Sequence, residues 1–138
     1  MDYKDNIIFH VNVLNRIITL KANRLLAGSG LECGSFFLLT SLYKASSFNV
    51  TEQALNMYSD RTTISRLLAN LLKNGYVQSA EKDDRRSFCH IITNSGRKTV
   101  EKYFPLLNDL HECLLEQPSL LSAYQLIKDN PQPFPVKQ

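Results

Sequence analysis

A mainly helical fold carrying one small β-hairpin, an α+β arrangement, is predicted by three features of this 138-residue sequence. Apolar residues recur every three or four positions from Asp60 to Asn74, Gly75 stops that pattern, and two β-prone runs, Tyr76–Lys82 and Phe88–Thr93, flank the charged turn Asp83–Ser87. Helix, glycine stop and charged-tip hairpin, in that order, lay out a winged helix-turn-helix, a unit built to read DNA.

From the amino terminus, residues 7–27 place Ile7, Val11, Leu14, Ile18 and Leu25 on one face of a long helix, with Ile8, Ile17 and Leu26 widening the stripe. Gly28, Ser29 and Gly30 break the pattern. A second helix, Gly34–Ser46, is dense in Phe36, Phe37, Leu38, Leu39, Leu42 and Tyr43 and is expected to be central and buried. A short helix over Thr51–Tyr58, with Thr51 as N-cap, leads by a brief turn to the helix opened by Asp60, whose carboxylate can accept from the free amides of the first turn. In that helix Ile64, Leu67, Leu68, Leu71 and Leu72 gather on one side and Thr62, Thr63, Ser65, Arg66, Asn70 and Lys73 on the other. One side packs and the other is left to meet a ligand.

After the hairpin, Thr93, Asn94 and Ser95 offer N-cap oxygens to a long helix carrying Val100, Tyr103, Leu107, Leu110 and Leu114. Pro105 lies inside it, which predicts a kink or break near Lys102–Pro105, because proline lacks an amide donor and collides with the preceding turn. Pro118 and Ser119 open a last helix through Lys128, and the proline-rich tail 131–138 cannot continue it. The chain therefore reads as a single domain over 1–138, with a winged-helix lobe at 31–97. Amphipathic helical segments at 6–28 and 98–130 are left over, and pairing them about a two-fold axis buries their stripes and makes a homodimer.

With 43% hydrophobic and 21% charged residues, the chain is long enough for one core. No stretch approaches the roughly 20 apolar residues of a membrane span and no signal layout opens the chain, so no membrane role and a cytoplasmic location are expected. Three widely spaced cysteines suit neither a disulfide framework nor a Cys-x-x-Cys metal site. The formal charge of +3 is unevenly spread: residues 61–102 hold nine Lys or Arg against four acids, a segment at +5, and the remainder is at −2. A basic segment coinciding with the helix-hairpin unit is what attraction to phosphate requires.

These residues resemble the MarR family of bacterial winged-helix regulators. The phrase D-R-T-T-I-S-R-L-L-A-N-L-L-K-N-G-Y-V resembles the family's D-x-S-T-V-S-R-L-hydrophobic-x-x-L-x-x-x-G-hydrophobic-hydrophobic, and D-D-R-R-S-F-C-H-I-I-T-N-S-G resembles its wing and the helix start that follows. The similarity covers Asp60–Arg97. It implies that Thr62, Thr63, Ser65 and Arg66 meet the major groove of double-stranded DNA, that Arg85 or Arg86 reaches the minor groove from the wing, and that Asp84 braces the wing through an arginine. Asn70 joins the groove-facing set on the same polar face, with Arg61 and Lys73 as phosphate contacts. The plainer alternative is that Thr62 and Thr63 cap the helix and the wing arginines solvate a turn. The first helix of the pair departs from the pattern, having Gln53-Ala54 where an apolar-Ala pair is usual and Tyr58 near the expected glycine. The resemblance further implies a repressor released by a small aromatic ligand, with Phe9, Phe36, Phe37, Tyr43 and Tyr103 as candidate lining residues.

Enzyme chemistry finds no purchase, since no phosphate loop, nucleophile elbow or H-E-x-x-H pair is present. His111-Glu112-Cys113 splays around one helix, so no metal and no cofactor are expected, a zinc site with His10 being a minor alternative. Two rivals remain. One is a cysteine-based redox regulator of the same fold, using Cys33 near a helix start or Cys113, with Cys89 as packing. The other is a winged-helix protein-interaction module that binds no DNA.

Overall fold

Most of the helices begin where a short polar side chain takes up a free amide of the first turn. The computed structural model describes residues 2–45, 49–81 and 88–129. After a 3-10 turn at Tyr3–Asp5, Asn6 opens α1 (Ile7–Leu25) by accepting from the Ile8 amide at 2.8 Å. A second 3-10 turn, Ala27–Ser29, leads through left-handed Gly30 to α2 (Cys33–Lys44). The start of α2 has no cap of its own, and Asn23 of α1 supplies one, its Oδ1 accepting from the Cys33 amide at 2.9 Å. The next helix, α3, spans Val50–Asn56, starting one residue earlier and ending two residues earlier than the Thr51–Tyr58 its sequence suggested. Asn49 is its cap, accepting from the Glu52 amide at 2.8 Å, and Thr51 falls inside the first turn. Asp60 opens α4 (Arg61–Lys73) with a 2.6 Å bond from the Thr63 amide.

Helices α3 and α4 end in the same way. In each, the second residue past the helix is left-handed and the amides around it return to the last turn: Gly75 donates to Leu72 and Tyr76 to Leu71 after α4, and Tyr58 donates to Leu55 and Ser59 to Ala54 after α3. The residues at the left-handed position differ. Gly75 has φ 74° at no steric cost, whereas Tyr58 has φ 52°, which costs on the order of 1 kcal/mol for a residue with a Cβ.

Strands β1 (Val77–Glu81) and β2 (Phe88–Ile92) pair antiparallel, with Val77 opposite Ile92 and Ser79 opposite His90. The root of this hairpin is clasped by Thr93. Its amide donates to the Tyr76 carbonyl at 3.0 Å, its hydroxyl donates to the Gly75 carbonyl at 2.8 Å, and the same oxygen accepts from the Gly96 amide at 3.1 Å to cap α5 (Asn94–Leu115). Tyr76 ties the root to the α1–α2 turn through a 2.6 Å bond from its hydroxyl to the Ser29 carbonyl.

The chain divides into two compact units, Met1–Phe104 and Pro105–Gln138. In the first, α4 packs between α2 and α3, burying Ile64, Leu67, Leu68 and Leu71 against Phe36, Leu38, Leu39, Leu42 and Ala54. Each such side chain contributes roughly 1.5–3 kcal/mol on leaving water. Leu72, expected on the packed side, is 40% exposed, because it falls at the edge of an arc already filled by its four neighbours. Along α1 only Ala22 is buried, and Ile7, Ile8, Val11, Leu14 and Ile17 stay exposed. The second unit holds the rest of α5 and α6 (Pro118–Asp129), where His111 and Tyr124 meet edge to face at 5.4 Å. None of the α6 residues is buried.

Of the kink or break expected near Lys102–Pro105, the break does not occur, since α5 is one helix across Pro105. Proline costs the Glu101 carbonyl its helical donor, a local loss that the hydrogen bonds on either side outlast. The proline instead marks the boundary between the two units. Among the described residues no helix is long and apolar enough to cross a membrane.

Gly96 is required by close approach, because a Cβ there would collide with the Tyr76 carbonyl oxygen and stand 2.7 Å from Ile92 Cγ1. Gly96→Ala is expected to lower unfolding stability by about 1–3 kcal/mol, measured by denaturant titration. Unchanged stability would show that α5 does not seat on the hairpin root in this way.

Candidate nucleic-acid interface

The packing of α4 decides what it leaves outside. With Ile64, Leu67, Leu68 and Leu71 turned inward, Arg61, Thr62, Ser65, Arg66 and Lys73 are exposed along the opposite side. That side carries three cations and no acid, flanked at its amino end by Asp60. Asp60 is fully exposed, yet its carboxyl lies below the usual range, chiefly because it accepts from the Thr63 amide and hydroxyl, with further help from the Thr62 amide and the Arg66 charge. Thr63 is accordingly half-buried and committed to the cap, the plainer of its two expected roles.

Asn70 departs from the expected set. Its Nδ2 donates at 3.2 Å to Ser35 Oγ of α2, whose hydroxyl reaches the Leu67 carbonyl at 3.4 Å. Asn74 Nδ2 in turn donates to the Asn70 carbonyl at 2.8 Å and to Asn70 Oδ1 at 3.0 Å. Asn70 thus holds α4 onto α2 rather than facing outward, because its position borders the leucine stripe and a polar partner waits there. The exposed side is left to Arg61, Thr62, Ser65, Arg66 and Lys73.

Gln53, where the helix pair looked least regular, is buried in α3, and its Oε1 lies 3.2 Å from the Ser41 hydroxyl of α2. A hydrogen bond between neighbouring helices replaces the apolar contact that an aliphatic residue would make there. Asp84, Arg85 and Arg86 of the wing tip lie outside the described residues. In the wing strands Cys89 is buried with Sγ 3.2 Å from the Ala80 carbonyl, as packing, and burial pushes the His90 imidazole below its ordinary range.

The five candidate ligand-lining aromatics are dispersed. Phe36 is fully buried in the lobe core and the adjacent Phe37 is 50% exposed. Tyr43 donates to Glu101 Oε1 at 2.8 Å, a bond that pushes its phenol upward, and Arg97 lies over its ring at 5.4 Å. Tyr103 is buried, with its hydroxyl standing 2.5 Å from where a Cβ on Gly28 would be. Phe9 meets Tyr3 and His10 edge to face near the start of α1. A shallow groove along α1, lined by Val13, Ile17, Leu20 and Asn23, includes none of the five.

Cys33 is half-buried at the first turn of α2, and both burial and the adjacent Glu32 charge push its thiol up, against a weaker lowering by a backbone amide. A helix start normally favours thiolate, but here the acid stands at the cap position itself. Cys113 is exposed. His10 Nε2 donates a hydrogen bond to the Lys4 carbonyl, and among the described residues no three His, Cys, Asp or Glu side chains cluster as a metal would need.

Residues 31–88, from the turn before α2 into β2, match the MarR family model. That segment, less than half of the chain, is similar to the MarR family. The chain as a whole has the fold of the winged-helix MarR transcriptional regulators. Its fold is similar to a MarR regulator from Methanosarcina mazei Go1, at 20% identity over 91% of this chain and 95% of that one, with a TM-score of 0.74. It is similar as well to S. aureus MepR in complex with DNA, at 16% identity, 95% and 100% coverage and a TM-score of 0.76. A third likeness is to a mutant of E. coli MarR complexed with operator DNA, at 21% identity, 96% and 100% coverage and a TM-score of 0.73. Among curated protein sequences none matches.

Two outcomes follow for this chain. Asn70→Ala, which leaves the Ser35 hydroxyl and the Asn74 amide short of a partner, is expected to lower unfolding stability by about 1–2 kcal/mol. A thermal melt indistinguishable from the parent would return Asn70 to the exposed set. In timed alkylation with iodoacetamide at neutral pH, read by mass spectrometry, Cys113 is expected to be labelled well before Cys33 and Cys89; faster labelling of Cys33 would revive the redox reading.

Proposed function

We propose that this chain is a homodimeric, sequence-specific DNA-binding repressor in which each subunit lays α4 in the major groove. The observation that carries the reading is the bare side of α4: Arg61, Thr62, Ser65, Arg66 and Lys73 exposed together, while Ile64, Leu67, Leu68 and Leu71 are buried in the core. An arginine fork grips guanine edges, hydroxyls hold phosphates or base edges, and Arg61 and Lys73 neutralise phosphates at the two ends of the helix. The +5 charge of residues 61–102 supplies the long-range attraction. Arg85 or Arg86, with Asp84 bracing the turn, extends the contact into the adjacent minor groove, where a narrow groove concentrates negative potential.

Dimerisation pairs the amphipathic segments at 6–28 and 98–130, covering apolar side chains of α1 and α6 that are exposed in the single chain. Two reading helices related by a two-fold axis call for a pseudo-palindrome with half-site centres about 10 base pairs apart. A small aromatic ligand lifts repression if it binds better to a dimer whose reading helices are misplaced for the groove. Two solved relatives by fold, one from S. aureus and one from E. coli, were crystallised with DNA, which supports the same target here. The protein is read as acting in the cytoplasm, where its thiols stay reduced.

Gel shifts against a duplex selected from a random DNA pool, across a range of salt, test this reading. Arg66→Ala should erode the preference for the selected duplex, while Lys73→Ala should weaken all duplexes nearly alike and flatten the salt slope by about one. Equal affinity of the parent for selected and random duplex at every salt concentration would end it.

A further inference from the structure

The α3–α4 turn spends a residue with no evident use inside the fold. Tyr58 stands at the left-handed position that ends α3, with its amide donating to Leu55 and the next amide, from Ser59, donating to Ala54. The end of α4 repeats those two bonds with Gly75 in the corresponding place, so the same chain shows that glycine serves this motif without strain. The tyrosine ring offers nothing to the core in return. It is 68% exposed, and Leu55, three residues back and the nearest apolar side chain in sequence along α3, is itself 74% exposed and so is not covered by it.

The position of Tyr58 along the chain is specific. It lies two residues before Asp60 and three before Arg61, at the amino end of the helix whose bare side is read as the DNA face. The amino-terminal residues of a reading helix meet base edges, and the segment leading into it runs beside the sugar-phosphate backbone. A helix amino terminus also draws phosphate by its free amides and dipole, although Asp60 here occupies part of that position with negative charge. A neutral donor just ahead of the cap meets a phosphate without adding to or fighting that charge.

We propose that Tyr58 is a DNA-backbone contact: its phenol donates a hydrogen bond to a phosphate beside the half-site occupied by α4, and positions the reading helix without reading sequence. This rests on the DNA-binding reading above. The strained backbone at Tyr58 is then a structural cost offset in the complex, where the side chain has its partner.

Full-length parent, Tyr58→Phe and Tyr58→Gly proteins are compared by gel shift on the selected duplex and on random duplex of equal length, and by thermal melting. Tyr58→Phe keeps the ring and removes only the donor. It should weaken both duplexes by roughly tenfold, since each subunit of a dimer loses one bond, with the preference between them and the salt slope unchanged, because a phenol releases no counterions. Tyr58→Gly should melt higher than the parent and yet bind at least as weakly as Tyr58→Phe. Parent-like binding by Tyr58→Phe, whatever Tyr58→Gly does, overturns the contact while leaving the DNA reading intact. Failure of the parent itself to bind either duplex removes the DNA reading and the contact with it.

Discussion

Everything about this molecule follows from the need to hold α4 by one side only. A helix that must keep its polar side bare can be anchored by apolar burial and by its ends, and this chain uses both. Ile64, Leu67, Leu68 and Leu71 press into the α2 and α3 core, while Ser35, Asn70 and Asn74 fix the rotation of α4 on its own axis. Rotation matters because one residue of slippage around a helix turns each side chain by about 100° and would bring leucines to the surface in place of Arg66 and Ser65. Apolar contact is tolerant of small rotations; a short hydrogen-bonded bridge at the border of the stripe is not.

The second constraint is at the root of the wing. Gly75, Tyr76, Thr93 and Gly96 bring the end of α4, both ends of the hairpin and the start of α5 to one place, and Tyr76 extends the connection to the α1–α2 turn through Ser29. One threonine serves as strand partner, hydroxyl donor and helix cap. The reading helix, the wing and the long helix thereby share a common seat, so that a shift of one is felt by the others.

Much of this was legible beforehand because it depends on local chemistry. The Asp60 cap, the Gly75 stop, the paired strands and, Leu72 apart, the leucine face of α4 are properties of neighbouring residues, and the chain shows them as its sequence implies. Where the reading and the structure part, sometimes a distant partner and sometimes a competing neighbour had decided the matter. Asn49 rather than Thr51 caps α3, the two being short polar residues two positions apart and both plausible caps. Asn70 looked like part of the outward face until Ser35, thirty-five positions earlier, proved to be beside it. Cys33 at a helix start suggested an activated thiol, but half-burial and Glu32 act the other way. Pro105 suggested a break, and a helix of 22 residues with bonds on both sides of it carries through.

Sequence by itself determined the fold class of this protein: the order of helix, stop and charged hairpin, the division of basic charge, and a motif that resembles that of the MarR family. These are periodic or contiguous features, and hydrophobic periodicity and backbone stereochemistry act over a few residues. Only the tertiary structure decided which border residues of α4 face inward, that Gln53 is satisfied by Ser41, and that Tyr58 takes up a glycine's conformation with its ring left in solvent. Burial and partnership are set by residues distant in the chain, whose approach no local pattern encodes.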